Sequence, residues 1–309
     1  MSIGNTAMCL RVETIWVNYG SEIMIKLCAF ADEYGKQISD QIEGLTANNI
    51  RLVELRNVDG KNIADITDEE ALSCYQRLTA AGITVWSLGS PMGKVDINCD
   101  FEEYKVKKVH RLCHLANLLH TDKIRMFSFF NAYDEREKVM DYLAQMVSIA
   151  ADYGVQLYHE NEKDIYGDTL ERVEDIVATV KGLKFVYDPA NFIQCGQDSA
   201  KTIDALFDKT DYFHVKDVIA ATQQLVPAGF GDGNIAEIVR RIPTKAQVVM
   251  TVEPHLAVFD GYAQIDNSEM KNKFHYADNH AAFNAAVKAI KDIFTACGYV
   301  ETEQGFVKA

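Results

Sequence analysis

Short apolar runs rich in β-branched and aromatic residues recur along the chain from Ile23 onward, and longer stretches with apolar residues at helical spacing lie between them. Eight runs read as strands: residues 23–30, 51–56, 84–89, 123–129, 155–160, 183–188, 212–217 and 247–253. The intervening stretches read as helices. One covers 37–49, and a second covers 68–81, opening on Asp68, Glu69 and Glu70, which favour a helix N-terminus. Asp100 and Glu103 form a capping-box-like pair ahead of a helical run, and Asp168 and Glu171 form another. A helix over 134–153 ends in Tyr-Gly, a stop signal, and the last helix runs from Asn279 to Cys297 before Gly298.

Strict alternation of strand and helix predicts a parallel sheet. Continuous apolar strands fit a sheet covered on both faces. Eight such units predict a single-domain α/β fold, the (βα)8 TIM barrel, over residues 23–298. An open doubly wound sheet is the weaker alternative, because no GxGxxG follows the first strand. Residues 1–22 read as an N-terminal extension and 299–309 as a C-terminal tail. The connection 254–278 exceeds an ordinary loop and is expected to serve the active site or a subunit contact. Gly229–Gly233, reading GFGDG, is expected to be a flexible turn.

The net charge of −14 over 309 residues argues against nucleic acid and against anionic membrane surfaces as partners. Seven cysteines, an odd number without CxxC spacing, read as free thiols in a reducing compartment. With no basic-then-apolar leader and no membrane-length apolar run, the expected location is cytoplasmic.

The polar residues that stop the late strands change the picture most. Glu160, Asp188, His214 and Glu253 end four consecutive runs. They recur at about 30-residue intervals, the pitch of a strand plus its crossover helix. A single acid after a strand is commonly a turn residue or helix cap, and a single His is commonly a satisfied core residue. Four on one barrel rim point instead to one divalent cation: Mn²⁺ first, with Mg²⁺, Co²⁺ or Zn²⁺ as alternatives. Lys216, His255, Glu162, Trp86 and Arg125 are candidates to bind substrate. Each has a plainer reading: Glu162 as a solvated loop acid, Arg125 as a salt-bridge partner (with Arg56 and Lys94), and Trp86 as packing. Asp217 is expected to support a ligand from behind. His110, His114 and His120 share a helix and read as surface or packing residues.

HVKD, the DPAN turn, EPH on the last strand and GFGDG resemble the xylose-isomerase-like TIM barrels of the sugar-phosphate isomerase/epimerase superfamily. The relatives evoked are ketose 3-epimerases, inosose dehydratases and C-glycoside deglycosidases. The resemblance implies one metal ion on the quartet, with Glu160 and Glu253 also moving the proton. It places Asn191 where some members carry a His, at the substrate. The implied activity is a metal-dependent isomerase or epimerase of a sugar, keto-sugar or polyol, working through a metal-stabilised enediolate. A lyase on the same barrel is the alternative. An apurinic endonuclease or a non-catalytic sugar-binding protein fits less well. The expected partners are a small carbohydrate and further copies of the chain, or a hetero-complex if it is a deglycosidase subunit.

Overall fold

The computed structural model describes residues 24–245, 247–258 and 271–309. The extension expected over 1–22, and most of the 254–278 connection, lie outside the described residues. The eight barrel strands are β1 Met24–Ala29, β2 Leu52–Leu55, β3 Thr84–Gly89 and β4 Lys123–Met126. They continue as β5 Gln156–Glu160, β6 Lys184–Tyr187, β7 Tyr212–Val215 and β8 Gln247–Val252. Each pairs in parallel with the next. β8 returns to β1 from Met24↔Gln247 to Ala29↔Val252, which closes the barrel. Among the described residues, no helix is long and apolar enough to cross a membrane.

Strand periodicity sorts the side chains. Val53, Leu55, Tyr187, Phe213, Val215, Met250 and Val252 join the main core with the helices. Their alternate neighbours face the barrel axis. The lower axial layer is apolar and aromatic, with Cys28, Val186, Tyr212 and Val249 backed by Leu52, Trp86 and Tyr158. The next residues up on the same faces are Glu54, Arg125, Glu160, Asp188, His214, Thr251 and Glu253, all buried. An apolar floor therefore holds a polar layer at the C-terminal end of the strands, the end that carries chemistry in this fold.

Several expectations are corrected. Strand seven stops at Val215, and Asp217–Ile219 pairs with Gln224–Val226 in a separate ribbon. Asp168 does not cap the helix Leu170–Thr179. Its carboxylate is taken by Tyr133 Oη and Arg172 Nη1, both at 2.7 Å. The residues after Gly298 do not trail away. Tyr299–Thr302 and Gly305–Lys308 form a hairpin that pairs antiparallel with the start of β1. Tyr299 and Phe306 drive this by packing on Phe294.

The Gly229–Gly233 segment is pinned rather than loose. Asp217 accepts the backbone N–H groups of Gly229 (2.8 Å), Gly231 (3.1 Å) and Gly233 (2.8 Å). A Cβ on Gly231 would stand 2.4 Å from Asp217 Oδ1, so the close approach demands glycine. Asp217 thus holds this loop, not a metal ligand. Asp217→Ala is expected to lower stability by about 1–3 kcal/mol, because it leaves buried donors unpaired. Urea unfolding measures the loss, and hydrogen exchange at Gly229, Gly231 and Gly233 should accelerate. Unchanged exchange there would count against the clamp.

Candidate metal centre and active site

Glu160 is the last residue of β5, and Glu253 follows β8 directly. His214 is the third residue of β7. Asp188 follows β6 as N-cap of the short helix Pro189–Gln194, with Pro189 in the first turn. Its Oδ1 accepts the Asn191 N–H at 3.0 Å, and its Oδ2 is left toward the axis. The sequence Asp-Pro-Ala-Asn therefore folds so that one carboxylate oxygen caps and the other is offered to the site.

The structure brings all four predicted ligands together. One donor atom from each lies within 4.8 Å of the others. The group is buried: Asp188 is 0%, His214 1%, Glu160 2% and Glu253 3% exposed. His214 Nδ1 stands 3.0 Å from both Glu160 Oε1 and Glu253 Oε2. Burial opposes charge on this imidazole, but Glu160, Glu54 and Glu253 outweigh it and raise its pKa well above the ordinary value. The surrounding carboxylates favour positive charge at this ring, and Nδ1 is the atom that faces the place a cation would take.

The donor set fits a divalent ion. Three carboxylates and one imidazole are a mixed oxygen and nitrogen set. Asp188 Oδ2 and Glu253 Oε2 are buried oxygens without a well-directed hydrogen bond. Lys216 Nζ, 2.9 Å from Asp188 Oδ2 and 3.9 Å from Glu253 Oε2, partly neutralises them. Burial pushes the Asp188 carboxyl up to about 7, against the pull of Lys216. Burial also works against ionising Glu253, but Lys216 and His214 hold it well below the usual carboxylate range.

The expected substrate-binding residues separate into four groups. Lys216 and His255 are at the quartet: His255 Nε2 lies 3.5 Å from Glu253 Oε1. His255 also carries φ of +46°, uncommon for a non-glycine residue, with its N–H held by Glu33 Oε2 at 2.9 Å. Asn191 and Arg125 hold Glu160: Asn191 Nδ2 is 3.3 Å from Oε1, and Arg125 Nε is 3.1 Å from Oε2. Glu162 is not a solvated acid. It is buried at the rim and paired with Lys94 at 3.0 Å. Trp86 is in the lower layer, edge-on to Tyr212 with Lys123 Nζ over its ring, at the other end of the barrel from the quartet.

Sequence reasoning missed three acids. Asp32 and Glu33 follow β1 and grip Arg56, which reaches on to Glu253 Oε1 at 2.9 Å. Burial raises the Glu33 carboxyl to about 8, with Glu253 and Asp32 adding to the rise against the pull of Arg56. Glu54, inside β2, contacts the far side of the His214 ring at 3.2 Å. Its signal was an acid in the middle of the apolar run RLVELR.

This geometry can be set beside known proteins. No curated protein matches the chain in sequence. Among solved structures, an L-ribulose 3-epimerase superposes with a TM-score of 0.68 at 16% identity, over 89% of this chain and 95% of that one. The probable 3-DHS dehydratase AsbF from Bacillus anthracis gives 0.65 at 16% identity, over 87% and 98%. The IOLI protein with a bound zinc atom gives 0.66 at 15%, over 87% and 97%. At such identities these likenesses speak for the fold alone. The sequence profile of the xylose isomerase-like TIM barrels matches residues 45–268, most of the barrel. The chain belongs to the xylose isomerase-like TIM barrel family.

Proposed function

We propose that the chain is a divalent-metal-dependent isomerase or epimerase of a sugar, keto-sugar or polyol, acting by proton transfer through an enediolate. The observation that carries this reading is the buried quartet, with Glu160 and Glu253 each 3.0 Å from His214 Nδ1. When bound, the ion supplies Lewis acidity to a substrate carbonyl and the neighbouring hydroxyl. The chain's residues do the rest. Glu160 and Glu253 come from β5 and β8 and can serve as base and acid for one C–H. Arg125 and Asn191 fix the first, and Arg56 fixes the second. His255 and Lys216 are placed to bind hydroxyl oxygens. The cations that a phosphate group would seek, Lys94 and Lys216, are already matched by Glu162 and Asp188, which favours an uncharged substrate.

The test is metal analysis of the purified protein, followed by incubation with free ketoses, inososes and 3-keto-glycosides in D₂O. One ion per chain and deuterium appearing next to the carbonyl of a recovered sugar are the expected results. Loss of water or cleavage, without exchange into recovered sugar, would assign a lyase instead.

A further inference from the structure

A fully buried carboxylate is costly even when it is hydrogen-bonded, so its position needs a cause. Glu54 is such a group. It is 1% exposed on the axial face of β2. Arg125 Nε stands off at 3.9 Å. Its close partners come from strands across the barrel. Tyr212 Oη donates to Oε1 at 2.9 Å, and Thr251 Oγ1 donates to Oε2 at 3.0 Å. Oε2 also meets His214 Nε2 at 3.2 Å. Tyr212 and Thr251 could each be satisfied by a neutral acceptor. The imidazole is the nearest group that gains from the charge, at 3.2 Å against 3.9 Å for Arg125.

We infer that Glu54 is a positioning residue for the metal centre: it binds Nε2–H of His214 and so presents Nδ1 to the cation. An imidazole has two nitrogens, and the one that ligates is set by the bond the other makes. Here Nε2 faces Glu54 while Nδ1 faces Glu160 and Glu253. Glu54 also makes the ring more basic and hence a stronger donor. Tyr212 and Thr251, on β7 and β8, hold the carboxylate in place. Each strand contributes through the same alternation: Tyr212 is two residues before His214, Thr251 two before Glu253, and Glu54 two before Arg56.

This inference rests on the proposed metal centre, and the experiment separates the two. Purified protein is stripped, then titrated with Co²⁺ against a competing chelator while its visible spectrum is recorded. Glu54→Gln keeps shape and an acceptor oxygen but removes the charge. Co²⁺ affinity is expected to fall about 10- to 100-fold, with a changed Co²⁺ band and unaltered far-UV circular dichroism. Thr251→Val, which only loosens Glu54, is expected to lower affinity about fivefold, the worth of one hydrogen bond. A folded Glu54→Gln protein with wild-type affinity and spectrum overturns the role. Should that variant not fold, wild-type affinity and spectrum in Thr251→Val overturn it equally. A wild-type protein that takes up no Co²⁺ overturns the metal centre itself, and the role of Glu54 with it.

Discussion

Asp188→Ala and His214→Ala are each expected to abolish stoichiometric binding of a divalent ion. Even the outer partners of a ligand are worth about 10–100-fold in affinity, so losing a ligand should cost more than that. The structural costs differ. Asp188→Ala also removes the cap of helix Pro189–Gln194, worth about 0.5–2 kcal/mol. It removes the nearest partner of Lys216 Nζ, which stands 2.9 Å from Asp188 Oδ2 and 3.9 Å from Glu253 Oε2. Asp188→Asn keeps an oxygen for the cap and is the cleaner probe. His214→Ala leaves Glu54, Glu160 and Glu253 facing one another without their shared imidazole. Breaking such a buried network is expected to cost about 3–5 kcal/mol in the metal-free protein. Calorimetric titration, with unfolding curves on the same samples, checks both parts. A tight, stoichiometric ion in Asp188→Asn or His214→Ala would move the metal centre elsewhere.

The quartet was legible because its members lie at or next to the C-terminal ends of strands. A period-two strand that stops at a polar residue announces both that residue's place on the rim and its inward direction. Arg56 and Arg125 were visible for the same reason, as were their salt bridges. Their partners were not. Arg56 meets Glu253 only because β8 closes on β1, bringing together residues 197 positions apart. Closure follows from eight units, but which side chains it joins depends on stagger around the whole sheet. Glu54 was hidden differently: one acid inside an apolar run reads as an ordinary strand residue until three side chains from two other strands are seen to aim at it. Trp86 illustrates the reverse error. Its chemistry suits a sugar, but it lies midway along β3, so its ring falls in the apolar floor. Asp168 has the right spacing for a capping box, yet Tyr133 and Arg172 compete for its oxygens. Local signals failed where a distant partner outbid the local one.

Glu160→Gln and Glu253→Gln are expected to lower turnover by about 10²–10⁴-fold or more, the loss associated with a general base. Glutamine keeps an oxygen for the ion and removes the base, so metal content should fall less than activity. The surroundings are unequal. Glu253 shares Arg56 with Asp32 and Glu33, so that guanidinium keeps partners when Glu253 is neutralised. Glu160 is the carboxylate nearest Arg125 Nε, at 3.1 Å, with Glu54 at 3.9 Å. Glu160→Gln is therefore expected to be the less stable variant. Their kinetics should differ as well. For a given epimer, one substitution should block proton removal, and the other should permit removal but impair return. Deuterium wash-in separates these cases: the first variant shows none, while the second exchanges the C–H faster than it forms product. Near-normal turnover in both variants, with the ion still bound, would remove these glutamates from proton transfer. His255 would then become the first residue to test, since it touches Glu253 and Glu33 together.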